Sequence, residues 1–382
     1  MDIKEIEKML MTDIDNSREK AFEIAQFIFD HPEISRQEYE SSEYLAHYLE
    51  TEGFAVEMPY CGIPTAFKAT RKNGSGPRIA FMAEYDALPG MGHACGHHWI
   101  ASTSLMAGIT LAKALDYLEG EVTVFGTPGE ETGEGKPYMV DQGAFDGYQA
   151  ALEIHPQGCT SLELDMIAIG GIDITFTGTA SHAGAAPYNG VNALDAVITF
   201  FNSVNAMRQQ LRDGTRVHGI ITEGGTAVNI IPETGKIRIE VRAKEMDYWN
   251  EVLERVVKCA EGAALATGCE LEWHHFEPTC AGLLINKNLE KLFVENMKDF
   301  PEFVESGDRF AGGASDVGNV SQVIPTFHPM MKFVENGASV HTVEFRDASL
   351  SDYAKERAID CIKILTKTGL QLLEDRELAY SL

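Results

Sequence analysis

Positive charge is scarce in this 382-residue chain: 31 Lys and Arg stand against 58 Asp and Glu, a formal net charge of −27. Phosphate backbones are bound by clustered Lys and Arg, so a nucleic-acid partner is disfavoured, and so is an anionic membrane surface. Long apolar runs are also missing. None approaches the roughly 20 residues that a membrane helix requires. The seven cysteines, scattered from Cys61 to Cys361, form no even-numbered disulfide framework, and a chain of this size needs none. The charged amphipathic start Met1-Asp2-Ile3-Lys4-Glu5-Ile6 lacks the apolar core of a signal peptide. The cytoplasm is therefore the expected compartment. Internal repeats and low-complexity tracts are absent as well.

What is present is ordinary globular composition, 44% hydrophobic and 23% charged, in a chain long enough for two cores. Residues 3–52 read as two helices, with apolar positions at helical spacing in Ala21, Ile24, Ala25, Phe27 and Ile28 and again in Tyr44, Leu45, Tyr48 and Leu49, broken at His31-Pro32-Glu33. Short apolar runs at Arg78–Ala83, Glu121–Thr127 and Ala150–Ile154 read as buried strands. A helix is expected between the first two, over Ile100–Leu118. Strands alternating with helices predict an α/β domain with a mostly parallel sheet flanked by helices.

The texture changes near Ile167. Alternating segments at Ile172–Gly178, Val217–Thr222, Lys236–Val241 and Glu270–His275 enclose helical stretches at Ala193–Leu211 and Val252–Ala266. This βαββαβ order predicts an inserted α+β domain with one antiparallel sheet. The expected division is a discontinuous catalytic domain over 1–168 and 283–382 and a lid or dimerisation domain over 169–282. A Gly-rich loop at Gly312-Gly313 and a closing helix over Asp352–Leu373 complete the reading.

Three clusters of reactive side chains follow three of the predicted strands. The first is Glu84-Tyr85-Asp86-Ala87-Leu88-Pro89 with Gly92-His93-Ala94-Cys95-Gly96-His97-His98. Cys-x-His can reach one metal from a tight loop, and thiolate with imidazole suits zinc or another borderline transition metal. Taken alone it is weak, because buried cysteine is commonly inert. The second is Thr127-Pro128-Gly129-Glu130-Glu131. In a turn, one carboxylate can bind metal while the other acts as a general base, although a solvated acidic loop is the commoner case. The third is Glu153-Ile154-His155-Pro156, which by itself could be a capped loop histidine. Parallel strands would bring all three clusters to one edge of the sheet, and three independent coincidences there are improbable.

These loops, together with His31-Pro32-Glu33-Ile34-Ser35 and Glu38, Ala180-Ser181-His182-Ala183, Gly190–Ala196, Asn229–Glu233 and Gly313-Ala314-Ser315-Asp316, resemble the aminoacylase and carboxypeptidase-G-like metallo-amidohydrolases. Within that metallopeptidase family they are similar to the cysteine-ligand branch. The form Ala-Glu-Tyr-Asp-Ala-Leu-Pro looks nearest to the aminobenzoyl-glutamate hydrolase and dipeptidase-like subgroup.

The resemblance implies two divalent ions, Zn2+ or Mn2+, held by Cys95, His97, Glu131, His155 and His341, with Cys95 as the bridge. It implies Glu130 as general base, Asp86 supporting a ligand from behind, and His182 stabilising the developing oxyanion from the inserted domain, often reaching in from the other copy of the chain. Asn229, Gly313, Ser315 and Asp316 would touch substrate. The implied substrate is a small N-acyl amino acid or dipeptide, and the implied assembly is a homodimer, with a heteromer as the other arrangement. Arg242 is a carboxylate partner or a structural strand-end residue. Many relatives carry a His ligand where this chain has Glu84, so Glu84 is left out of the ligand set. His93 and His98 are read as bystanders. Two other readings stay open: hydrolysis of a non-peptide C–N bond, as in a deaminase, and a catalytically silent subunit.

Overall fold

The computed structural model describes residues 1–162, 164–303, 310–311 and 313–382, which fall into two compact units. The first comprises Met1–Asp165, Leu283–Ala311 and Ser315–Leu382; the second comprises Met166–Gly282 and Gly312–Ala314.

The first unit opens with α1 (Ile3–Asn16), α2 (Arg18–Asp30) and α3 (Tyr39–Thr51), three helices where two were expected. The extra break falls at Ser17. Its amide and hydroxyl fold back onto the carbonyls of Asp13 and Ile14, so the turn closes on itself and a new helix starts. Next come β1 (Ala55–Glu57), β2 (Phe67–Asn73), β3 (Arg78–Ala83), α4 (His97–Ala112), β4 (Gly120–Gly126), α5 (Gly135–Asp141) and β5 (Ala150–Leu152). The short β6 (His155–Gln157) and β7 (Leu164–Asp165) follow. After the second unit the chain returns as α8 (Lys287–Met297), β12 (Phe310–Ala311), α9 (Val317–Ser321), β13 (Thr326–Phe327), β14 (Met330–Lys332), α10 (Val343–Ala348), α11 (Asp352–Glu374) and α12 (Arg376–Ser381).

The main sheet has the order β1-β2-β4-β3-β5-β13. Strands β4, β3, β5 and β13 are parallel, while β1 and β2 form an antiparallel edge that the sequence reading did not anticipate. Their exposed, charged ends weaken the apolar pattern that marks a strand. β6 pairs with β14 and β7 with β12, both in parallel.

Alternation across the pleat decides the layers. Ile79, Phe81 and Ala83 join one apolar cluster with α1, α2, α4 and α11, whereas Ala80 and Met82 join another with Met139, Phe145, Val317 and Val320. Helices therefore cover both faces. All 16 residues of α4 are buried, the pattern of a helix enclosed on every side. It lies close enough to β4 that a Cβ on Gly108 would come within 2.4 Å of Val124. Among the described residues no helix is long and apolar enough to cross a membrane.

The second unit runs β8 (Ala168–Thr177), α6 (Ala193–Met207), β9 (Arg216–Glu223), β10 (Thr234–Ala243), α7 (Met246–Thr267) and β11 (Glu270–His275), the expected βαββαβ order. Its sheet, β11-β8-β10-β9, is antiparallel throughout. Ile172, Ile174 and Phe176 of β8 and Ile237, Ile239 and Val241 of β10 bury one face against α6 and α7. The other face carries charge: Arg238 grips Asp173 through two hydrogen bonds of 2.8 and 2.7 Å.

Candidate metal centre

Three strand ends and one return loop build the site. The loop after β3 turns back through Gly96, whose φ of +90° starts α4, a conformation only glycine adopts without cost. A side chain there would also press within 3.0 Å of Pro156. The helix begins at His97, three residues earlier than expected, so Cys95 and His97 flank the turn. After β4, Gly129 at φ +76° leads into a single helical turn carrying Glu130 and Glu131. Beyond β5, His155 opens β6, its amide bonded to the Pro329 carbonyl at 2.9 Å. His341 arrives from the C-terminal third with φ +62°, strained for a non-glycine residue. Its amide is fixed to the Ala94 carbonyl at 2.8 Å.

These side chains converge. Cys95 Sγ lies 3.5 Å from His155 Nε2 and 3.2 Å from His341 Nε2. His341 Nε2 lies 3.6 Å from Glu131 Oε2, and His97 Nε2 lies 3.8 Å from Glu131 Oε1 and 3.7 Å from Glu130 Oε2. Two triads share the thiol, Cys95–His97–His155 and Cys95–Glu131–His341, each with its ligand atoms within 4.8 Å of one another. Glu84–His97–Glu130 forms a third set of the same compactness.

Electrostatics fits a cation. His97 Nε2, Glu84 Oε2 and Glu131 Oε1 are buried with no hydrogen-bond partner, a costly state unless a cation answers it. Burial pushes the Cys95 thiol well up, with Glu131 and Glu130 adding to the rise against His97; a divalent ion would reverse that by stabilising the thiolate. Burial, helped by His328 and His97, holds His155 well down, as the neutral imidazole that a ligand must be. Burial and the charge of Glu84 push Glu130 up, opposed by His97. The donor set of one sulfur, three imidazoles and carboxylates suits zinc and other borderline divalent ions.

Asp86 stands behind His97. Its carboxylate accepts from His97 Nδ1 at 3.0 Å, Ser35 Oγ at 2.7 Å and the Glu131 amide at 3.0 Å. Burial alone would raise its pKa, but His97 and these donors outweigh that and hold it well below the usual carboxylate range. Since Nδ1 faces Asp86, Nε2 is the nitrogen free for a metal.

The expected substrate residues divide. Asp316 is fully buried, and both oxygens are occupied by Lys136, Oδ1 by the ammonium at 2.6 Å and Oδ2 by the backbone amide at 3.0 Å. Its carboxylate is therefore turned toward Lys136. Ser315 is likewise buried, its hydroxyl accepting from the Val317 amide at 3.2 Å. Gly313 belongs to the second unit, where its carbonyl accepts from the Ile167 amide at 3.1 Å; Gly312 lies outside the described residues. His182 and Asn229 also lie in the second unit. The His182–Ile230 bridge and the Ala183 amide on the Asn229 carbonyl (3.0 Å) bring them together. His182 Nδ1 accepts from the amides of Gly184 and Ala185 at 3.2 and 3.1 Å, so the proton of the neutral ring sits on Nε2. Arg242 is taken by Glu240 at 2.6 Å.

Sequence reasoning missed a buried ionic layer behind the candidate ligands. The Lys136 ammonium, at zero exposure, bridges Glu84 (2.5 Å) and Asp316, while His328 Nδ1 sits 2.8 Å from Glu153. Nothing local marks Lys136, a single lysine at the start of a short helix; only folding brings two carboxylates to it.

Comparison with known proteins decides the family. The chain is 34% identical to the mouse Xaa-Arg dipeptidase over 376 residues, covering 94% of this chain and 87% of that protein. It is also 34% identical over 320 residues to a p-aminobenzoyl-glutamate hydrolase component of Escherichia coli strain K12, covering 78% of this chain and 66% of the relative. A family model described as the M20 peptidase dimerisation domain matches residues 168–267. The chain belongs to the M20 peptidase family. The fold agrees: the Bacillus subtilis YXEP protein, described as a dinuclear metal-binding peptidase from the M20 family, superposes with a TM-score of 0.68 at 20% identity, over 96% of this chain and 99% of that one. This M20 protein is a hydrolase of C–N bonds.

Proposed function

We propose that this M20 hydrolase cleaves the amide bond of a dipeptide or small N-acyl amino acid at a centre of two divalent ions, zinc or manganese, and that it works as a homodimer. The observation that carries the reading is the single thiol of Cys95 shared by two ligand triads, the arrangement that a bridging ligand needs. Cys95, His97, Glu131, His155 and His341 would hold the ions. The substrate class is supported by relatives named Xaa-Arg dipeptidase, p-aminobenzoyl-glutamate hydrolase and N-acetyl-L-cysteine deacetylase, all of which release an amine from an acyl group. Dimerisation is supported by the family description of residues 168–267.

When bound, the ions supply Lewis acidity toward the scissile carbonyl and toward water. The chain's own residues do the rest. Glu130, beside His97 and raised in proton affinity by burial, takes a proton from the attacking water at a carboxylate oxygen and returns it to the departing amine. Asp86 locks His97 in one tautomer and orientation. His182, its Nδ1 occupied by two amides, has an Nε2–H suited to donate to the oxyanion.

The test pairs elemental analysis with a hydrolysis panel of Xaa-Arg and Xaa-Lys dipeptides, p-aminobenzoyl-glutamate and N-acetyl amino acids, before and after chelation. About two metals per chain with chelator-sensitive release of a free amino acid is the expected result. Metal without release from any panel member would move the chemistry to a non-peptide C–N bond. Absence of metal under zinc, manganese and cobalt loading would leave a silent subunit.

A further inference from the structure

The turn that carries Glu130 is held by its backbone from both sides. On its C-terminal side, the Glu131 amide is taken by Asp86, as described above. On its N-terminal side, the Gly129 amide donates to Glu38 Oε1 at 2.9 Å. Glu38 comes from the segment before α3, 91 positions away, and is fully buried. Its Oε1 also accepts from the Arg36 amide at 2.7 Å, and its Oε2 accepts from Thr65 Oγ1 at 2.9 Å. Thr65 is anchored in turn, because its carbonyl accepts from the Tyr85 hydroxyl at 2.5 Å. Two buried carboxylates thus hold the two amides that flank Glu130.

We propose that Glu38 is a positioning residue for Glu130, setting its place through the reach of an acceptor to the Gly129 amide rather than through negative charge. The Gly129 carbonyl is held by the Glu134 amide at 3.0 Å and by Thr132 Oγ1 at 3.3 Å, whereas its amide, on the other side of a left-handed residue, is held by Glu38. A carboxylate buried this deeply is expensive, and its persistence needs a reason. Three donors converge on it, and the nearest of them to the chemistry belongs to the base-bearing turn. Burial and the charge of Asp86 raise the Glu38 carboxyl to about 7, and the three donors that meet it are two backbone amides and a hydroxyl, none of them a cation that would require a negative partner. A neutral acceptor of the same length should serve the turn equally well.

The proposal rests on Glu130 being the general base, and the experiment separates the two. Glu38→Gln keeps the reach and loses the charge; Glu38→Asp keeps the charge and shortens the reach. Each is made alone and in a Glu130→Gln background, with kcat, KM, metal content and thermal stability measured. Glu38→Asp is expected to lower kcat by about 10²-fold with KM and metal content unchanged, the cost of misplacing a catalytic group by ~1 Å. Glu38→Gln should stay within about threefold of the parent. In the Glu130→Gln background, Glu38→Asp should lower the residual rate by less than about twofold, because residues acting as one unit are non-additive. If Glu38→Asp fails to fold, Thr65→Val, which removes the donor fixing Glu38 Oε2, reads the same support with a smaller loss of kcat and the same suppression. Equal losses for Asp and Gln, or an undiminished loss in the Glu130→Gln background, would overturn the proposal alone. Parental turnover by Glu130→Gln itself would overturn the reading of the base and the proposal with it.

Discussion

The two units place their charges in opposite positions. Every buried polar or charged side chain among the described residues belongs to the first unit, including Glu38, Glu84, Asp86, His97, Lys136, Glu153, Asp316 and His328. In the second unit the core is wholly apolar, and Asp173, Arg238, Glu240 and Arg242 stand on or near the open face of the sheet. Burying charge is a poor route to stability, because desolvation offsets most of the Coulomb gain. The second unit shows that this chain can build a core without it. The buried ions of the first unit therefore mark where chemistry has displaced packing.

The sharpest way to break this comparison is at the proposed base and the proposed ligands. Glu130→Gln should lose three or more orders of magnitude in kcat, roughly the contribution of a general base together with its positioning, while metal content is unchanged. Cys95→Ala should lose both rate and metal, since both triads include that sulfur. Normal turnover in the first variant, or full metal content in the second, would contradict the roles given to them.

Next in size is the ionic layer. Lys136→Met leaves Glu84 and Asp316 buried without their cation, and should cost about 3–5 kcal/mol in a denaturant melt. A loss below 1 kcal/mol would show that the layer is less desolvated than its burial indicates. In the second unit, Phe200→Ala should cost a comparable ~3–5 kcal/mol, here through cavity formation, yet leave metal content at the parental value. Equal destabilisation with opposite consequences for metal loading would sharpen the contrast between the units.

A smaller effect follows from Glu38. Its folded-state pKa of about 7 lies above its ordinary 4.5, so between those values the folded chain keeps a proton that the unfolded chain has released. Stability from this group is therefore lost as pH rises through that window, by at most about 3 kcal/mol. Glu38→Gln removes the dependence, so its melting temperature should gain on the parent between pH 5 and pH 8. A constant difference across that range would show that Glu38 does not titrate there. The smallest change is expected on the open face. Arg238→Met loses an exposed pair with Asp173 and should leave the denaturation midpoint close to that of the parent.

Legibility followed the range of the interactions. The βαββαβ order of the second unit could be read because each strand alternates and each helix has one apolar stripe, signals written over a few residues. The parallel strands β3, β4 and β5 were legible as apolar runs, and so was the gathering of their C-terminal loops. The antiparallel edge of β1 and β2 was not, since its apolar pattern is short and fades into charge. The break at Ser17 was hidden because the apolar positions Ile6, Leu10 and Ile14 of α1 sit before a residue whose effect depends on local hydrogen bonding. Asp316 was expected at the substrate, but its partner Lys136 lies 180 positions away.

By itself, then, the sequence specified the two fold classes and a set of residue types able to bind metal, placed just after strands. These depend on periodicity and on turn residues, which act locally. The tertiary structure decided that one thiol serves two triads, that Glu38 reaches the Gly129 amide, and that Lys136 bridges Glu84 and Asp316. Such contacts join segments tens to hundreds of residues apart, and a buried ion is tolerated only where the whole fold supplies its partner.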